Sequence, residues 1–175
     1  MKKITLVILL ALFLTAFGVA GEIVVGEKPP VLVLDGRDGG RLDNTSWSSN
    51  ELKDKVWCLF YVDPDESDLN TAAEDSLSAE DIPDDKLETV AVINYKATRL
   101  PGFAVSIVLK GKQRKHPDTV YLKDNKHVFV EEWGLTDDTY CTLVFDKEGV
   151  LVYRKDGKMS EEEIDEYIST IKANL

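Results

Sequence analysis

Seven consecutive residues, Val56-Trp57-Cys58-Leu59-Phe60-Tyr61-Val62, carry no charge, and the run stops at Asp63-Pro64-Asp65-Glu66. A strand with one face in water alternates apolar and polar side chains. An unbroken apolar run of strand length instead needs cover on both faces, as in the interior of a layered sheet. Leu87-Glu88-Thr89-Val90-Ala91-Val92-Ile93-Asn94 is a second run that reads as a strand buried on both faces. Between the two, Leu69, Ala72, Ala73 and Leu77 recur at helical spacing, and Pro83 ends that segment. Strand, helix and strand in this order predict an α/β sandwich around a mostly central sheet.

The remaining segments fit the same plan. Val31–Leu34 reads as a first strand, Asp38-Gly39-Gly40 as a turn, and Trp47 and Leu52 as part of a short connection. Pro101-Gly102 opens a helix to about Gln113, and Thr119–Leu122 is a short strand. Val128–Trp133 reads as a helical turn closed by Gly134. Thr142–Phe145 and Val150–Arg154 form a hairpin about Asp146-Lys147-Glu148-Gly149. Ser160 and Glu163 make a capping box, after which Ile164, Tyr167, Ile168 and Ile171 line one face of a final helix.

Met1–Ala20 has a basic opening (Lys2, Lys3), an apolar stretch and the small residues Gly18 and Ala20, the three parts of a secretory signal cleaved after Ala20. The apolar stretch is short for a spanning helix, which needs ~20 apolar residues. No cysteine lies near Gly21 to take a lipid, and no later stretch is apolar enough to span a bilayer. The expectation is an exported protein with no stable membrane insertion after cleavage, residues 21–175 forming a single domain. Loss of Lys2 and Lys3 with the leader takes the formal charge from −11 to −13. Such a balance disfavours nucleic acid, which is bound through clustered Lys and Arg, and anionic lipid surfaces alike. The charge is uneven: Asp63 to Glu88 holds eleven acids and the one base Lys86, while Lys110 to Lys126 holds six bases and two acids. That pattern fits a solvated acidic face with a basic helix end, or a dipolar surface that orients a partner.

A family resemblance is carried by several of these segments. Gly26-Glu27-Lys28-Pro29-Pro30-Val31, Asp38-Gly39-Gly40 and Leu52-Lys53-Asp54-Lys55-Val56 resemble the entry of the peroxiredoxin and TlpA-type branch of thioredoxin-like proteins. Glu132-Trp133-Gly134-Leu135 and Thr142–Val150 resemble that branch's last hairpin. More narrowly, the mature stretch is similar to the YtfJ family of exported bacterial proteins. The carrying residues are Trp47-Ser48-Ser49, Ile82-Pro83-Asp84-Asp85, Thr89–Asn94, Pro101-Gly102, Trp133-Gly134-Leu135, and Lys155-Asp156-Gly157 before Glu161-Glu162. The resemblance implies a periplasmic, thioredoxin-like three-layer sandwich, a central mixed β-sheet flanked by helices. It brings no activity with it.

In redox members of that fold, a cysteine of lowered pKa stands where the helix begins after the central strand, and a second one resolves the mixed disulfide. Asp63–Asp68 supplies only Asp, Pro, Glu and Ser there, so the CxxC pair is absent, and a one-cysteine peroxidase fails on the same ground. A carboxylate at this place acts as a helix cap. Cys58, inside the central strand, reads as a buried structural residue, as free cysteine packs like a small apolar side chain. Tyr140-Cys141-Thr142 stands where the fold usually has a cis-proline facing the redox turn, which makes Cys141 the one candidate nucleophile. Its strand start should lie opposite Tyr61 to Asp63, leaving Cys58 roughly 10–16 Å away at ~3.3 Å per residue. A disulfide needs Cα atoms within about 7 Å. Two free thiols follow, with Cys141 open to an intermolecular bond.

Other chemistries find no pattern. His116 reads as a helix exit and His127 as a surface residue, and neither has zinc-motif spacing to Cys, Asp or Glu. Asp63, Asp65, Glu66 and Asp68 lack the Gly and distal Glu of a calcium loop. No phosphate-binding glycine spacing and no nucleophile elbow is present, so no metal and no cofactor is implied. Trp47 and Trp133 read as core aromatics. Two functions stand. One is an exported, non-catalytic binding module whose corner, Asp63, Pro64, Asp65, Glu66, Tyr140, Cys141 and Thr142, docks a peptide or envelope protein. The other is a thiol-dependent redox enzyme using Cys141 alone.

Overall fold

The computed structural model describes residues 21–175; the leader expected over 1–20 lies outside them. A six-stranded mixed sheet runs in the order β2-β6-β5-β4-β7-β8. Its strands are β2 (Gly39–Arg41), β4 (Val56–Val62), β5 (Leu87–Asn94), β6 (Val120–Asp124), β7 (Tyr140–Phe145) and β8 (Leu151–Asp156). The central strand β4 is parallel to β5 and antiparallel to β7; β5 and β6 are parallel, and β2 and β8 are antiparallel edges. A separate ribbon pairs β1 (Val33–Leu34) with β3 (Trp47–Ser48).

All seven residues of β4 are buried, and their alternation divides the core in two. Val56, Cys58, Phe60 and Val62 face α1 (Thr71–Ala79), α2 (Gly102–Lys115) and α4 (Glu161–Asn174). Trp57, Leu59 and Tyr61 face the β1–β3 ribbon and α3 (Val128–Trp133). The result is a three-layer α/β sandwich with the thioredoxin-like strand order. On the α3 side, Phe129 joins Trp47 (centroids 6.0 Å apart), Tyr61 (5.5 Å) and Trp133 (5.0 Å, edge to face). The Trp133 indole N–H donates to the Pro30 carbonyl at 2.9 Å, so this fully buried ring satisfies its one polar atom. The capping box of Ser160 and Glu163 forms, and α4 buries Tyr167 and Ile171.

Four local expectations are corrected. Trp47 belongs to a strand, and the first strand is confined to Val33–Leu34, because these short segments pair with each other outside the main sheet. Gly39-Gly40 is no turn: it is the edge strand β2, paired with Asp124 and Lys123 of β6. Both glycines adopt positive φ (+143° and +124°), and a Cβ at Gly39 would lie 1.8 Å from the Lys123 carbonyl oxygen. Backbone packs where a side chain would otherwise stand, which only glycine allows. Finally, the first half of β5 is only partly buried, and it is enclosed on both faces towards its end.

Candidate functional site

The parallel strands β4, β5 and β6 end side by side, at Val62, Asn94 and Asp124. Ligands of open α/β sheets gather at such carboxyl ends. Each strand here finishes on, or is followed directly by, a polar side chain that satisfies backbone N–H groups of the following turn. Asp63 caps a 3-10 turn over Pro64–Glu66, accepting from the Asp65 N–H at 2.8 Å. Asn94 accepts from the N–H groups of Lys96 and Ala97, both at 3.2 Å. Asp124, fully buried, accepts from Val128 and Phe129 at the start of α3 (3.0 and 3.1 Å), from Lys126, and from the Tyr61 hydroxyl at 3.3 Å.

At the end of β4, where a redox thiol would stand, the chain is thus a self-capped acidic turn. Pro64 suits its first position, where no N–H is needed. Asp63 is buried, and its own N–H donates to the Thr139 carbonyl at 3.0 Å, tying the turn to the segment before β7. Burial pushes its carboxyl above the usual range, aided by the neighbouring charges of Asp65, Asp138 and Glu66. Asp65 and Glu66 are exposed. α1 does not start until Thr71. Asn70 before it binds the loop after β8, donating to the Gly157 carbonyl and accepting from the Met159 N–H.

The residues of β7 do not share one surface. Tyr140 pairs with Val62, Cys141 with Tyr61, and Thr142 with Phe60. Tyr140 lies in the α1 side of the core, and its hydroxyl donates to Glu74 at 2.7 Å. Thr142 is two residues on and fully buried, with no partner for its hydroxyl. Cys141 faces the opposite layer, fully buried, its Sγ 3.4 Å from the Thr136 carbonyl oxygen. Burial, and then the nearby Asp156 carboxylate, push this thiol far above the ordinary range. Arg154 and Asp156 pair at 2.8 Å beside it. The peptide bond joining Tyr140 to Cys141 is trans.

Cys58 lies across from Val144 on the α1, α2 and α4 side, so the two free cysteines occupy opposite faces of the sheet. Burial pushes the Cys58 thiol up to about 12, with the Tyr167 hydroxyl beside it. Among the described residues no group of three or more His, Cys, Asp or Glu can hold a metal ion.

A second polar group escaped the reading of the chain. Asn94 donates to Asp137 at 2.7 Å, and the other oxygen of Asp137 lies 3.5 Å from His127 Nδ1. His127 is therefore no surface residue. Its ring is 17% exposed, its Nε2 is buried without a partner, and its backbone is left-handed at φ 62°. The usable signal is Asp124, which ends a strand four residues before the apolar turn Val128-Phe129-Val130 and so marks a capped helix start. The convergence of Asn94 and Asp137 has no local signal, as they meet only through the strand order.

Over residues 28–174 the chain matches the family described as bacterial protein of unknown function, YtfJ_HI0045. It is 22% identical over 175 residues to the uncharacterized protein YtfJ of Escherichia coli (strain K12), a match spanning 95% of each chain. An uncharacterized protein of Haemophilus influenzae is 27% identical over 155 residues, 86% of this chain and 77% of that one. Among solved structures, a peroxiredoxin-like protein from Aquifex aeolicus superposes with a TM-score of 0.61, covering 90% of this chain and 91% of its own at 14% identity. That likeness is one of fold.

Proposed function

The chain belongs to the YtfJ_HI0045 family of bacterial proteins, and from that premise we propose that it is an exported, non-catalytic thioredoxin-like module that binds an envelope protein or peptide. One observation carries this reading. The place at the end of β4 that needs an exposed thiolate holds instead a self-capped turn of Asp63, Pro64, Asp65 and Glu66. Thiol exchange needs a thiolate within reach of its target. Both thiols here are fully buried and held protonated. The exposed part of the corner, Asp65 and Glu66 with the Tyr140–Glu74 pair behind it, presents carboxylates to a partner's N–H groups or cations. The leader-like Met1–Ala20 supports export. Cys141 as a lone catalytic nucleophile is opposed by its position on the other face of the sheet.

A photo-crosslinking side chain at Glu66, compared with one at the exposed Glu162 of α4, tests the proposal in living bacteria. The expected result is discrete adducts from position 66 alone, recovered in the periplasmic fraction and unchanged by Cys141→Ser. An absence of adducts at position 66, or their loss in Cys141→Ser, would contradict it.

A further inference from the structure

Between α1 and α2 the sheet is left partly uncovered, over a cleft of about 480 Å³. Its floor is apolar, made by Phe60, Ala91 and Ile93, and Val105 and Leu109 of α2 form one wall. Leu100 and Val108 stand on the rim, 51% and 56% exposed. A cleft of this size falls within the ~300–1,000 Å³ of small-molecule sites. The two ends differ in charge. At one end Glu74 already accepts the Tyr140 hydroxyl. Lys112 and Lys115 line the other, and neither forms an ion pair with any described residue. In a chain of net charge −11, two unpaired lysines at the mouth of an apolar cleft are an anion's counterpart.

We propose that this cleft binds a single-chain amphiphile with an anionic head, a long-chain carboxylate. Its hydrocarbon lies along Phe60, Ala91 and Ile93, and its carboxylate meets Lys112 and Lys115. At about 480 Å³ the cleft lies towards the small end of such sites, which suits a single hydrocarbon chain. A larger cleft of about 710 Å³ beside Arg41, Lys110 and Arg114 does not compete. Its lining is mostly polar, the carboxylates of Asp43, Glu88 and Asp118 share it with the cations, and Arg41 is already held by Glu51 and the Ser46 carbonyl.

Calorimetric titration of the protein over residues 21–175 with laurate, below its micelle concentration, tests the assignment. The expected result is saturable one-to-one binding, weaker by about fourfold for each methylene removed towards octanoate. Lauryl alcohol, which lacks the charge, should bind at least about tenfold more weakly. Lys112→Glu with Lys115→Glu should lower laurate affinity at least about tenfold, and Ala91→Trp should abolish binding by filling the floor. If Ala91→Trp does not fold, the exposed lysine pair decides. No saturable binding of laurate to the wild type, or binding that the lysine pair leaves unchanged, overturns the proposal. None of these substitutions falls within Asp63–Glu66, so position-66 adducts that persist when laurate binding is lost separate failure of the cleft from failure of the corner.

Discussion

Replacing Asp124 with Ala is expected to lower the unfolding free energy by about 3–5 kcal/mol, because several buried donors lose the one acceptor they share. The carboxylate is fully buried and accepts from three backbone N–H groups and the Tyr61 hydroxyl. An alanine leaves those donors without partners, at about 1–3 kcal/mol for each group that water cannot reach. Two of those donors, Val128 and Phe129, open α3, whose N-cap residue His127 makes no side-chain cap. The contributions overlap and do not add in full. Asn in the same place keeps an acceptor oxygen and should cost about 1–2 kcal/mol. Urea denaturation followed by far-UV circular dichroism measures both. With total stabilities of about 5–15 kcal/mol for such domains, the alanine variant should be largely unfolded at moderate urea. A loss below about 1 kcal/mol would show that α3 is held by its apolar contacts alone.

Trp133→Ala should cost a comparable amount, about 3–5 kcal/mol. The ring is fully buried, meets Phe129 edge to face at 5.0 Å and Phe145 at 5.9 Å, and donates to the Pro30 carbonyl at 2.9 Å. Truncation opens a cavity that neighbouring strands cannot fill, and it strands an acceptor in the entry segment. Trp133→Phe retains most of the volume and should recover over half of the loss. The same urea series reads it; equal losses for Ala and Phe would place the effect in the indole hydrogen bond.

Much of this architecture can be read in particular residues. The unbroken run Val56–Val62 announces a strand covered on both faces. The hairpin placed Cys141 opposite Tyr61 to Asp63, and the ladder pairs it with Tyr61, far along β4 from Cys58. The two thiols stay free for a further reason that counting positions along strands does not supply: side-chain alternation sends them to opposite layers. Gly39-Gly40 resembles a turn because the signal for a turn and the signal for close backbone packing are the same residue. The edge strand β2 is therefore invisible until Lys123 and Thr45 are seen against those glycines. The corner itself was legible in part. The absence of a thiol after β4 is plain in Asp63–Asp68, and the acidic cap forms where the run ends. The layer chosen by each side chain of Tyr140-Cys141-Thr142 was not, since it depends on register. His127 resembles a solvent-facing loop residue because its neighbours Lys126 and Asn125 are polar. Its ring is turned inward by a left-handed backbone and by Asp137, which is ten residues away in the chain.

The proposed binding role requires that this thioredoxin-like domain offer no reactive thiol to a substrate. The most direct test of this is residue-resolved alkylation of the folded protein at pH 8, with the same protein in guanidinium as reference. A thiol at about 12 in place of 9.0 carries roughly a thousandth as much thiolate at that pH, which sets the scale for Cys58. Cys141, buried beside Asp156, should be slowed at least as much. Both cysteines should label at least about a hundredfold more slowly than a free model thiol in the native state, and at equal, ordinary rates once unfolded. Native Cys141 labelling as fast as the model thiol, with the fold intact, would contradict it and make this residue a nucleophile in its own right.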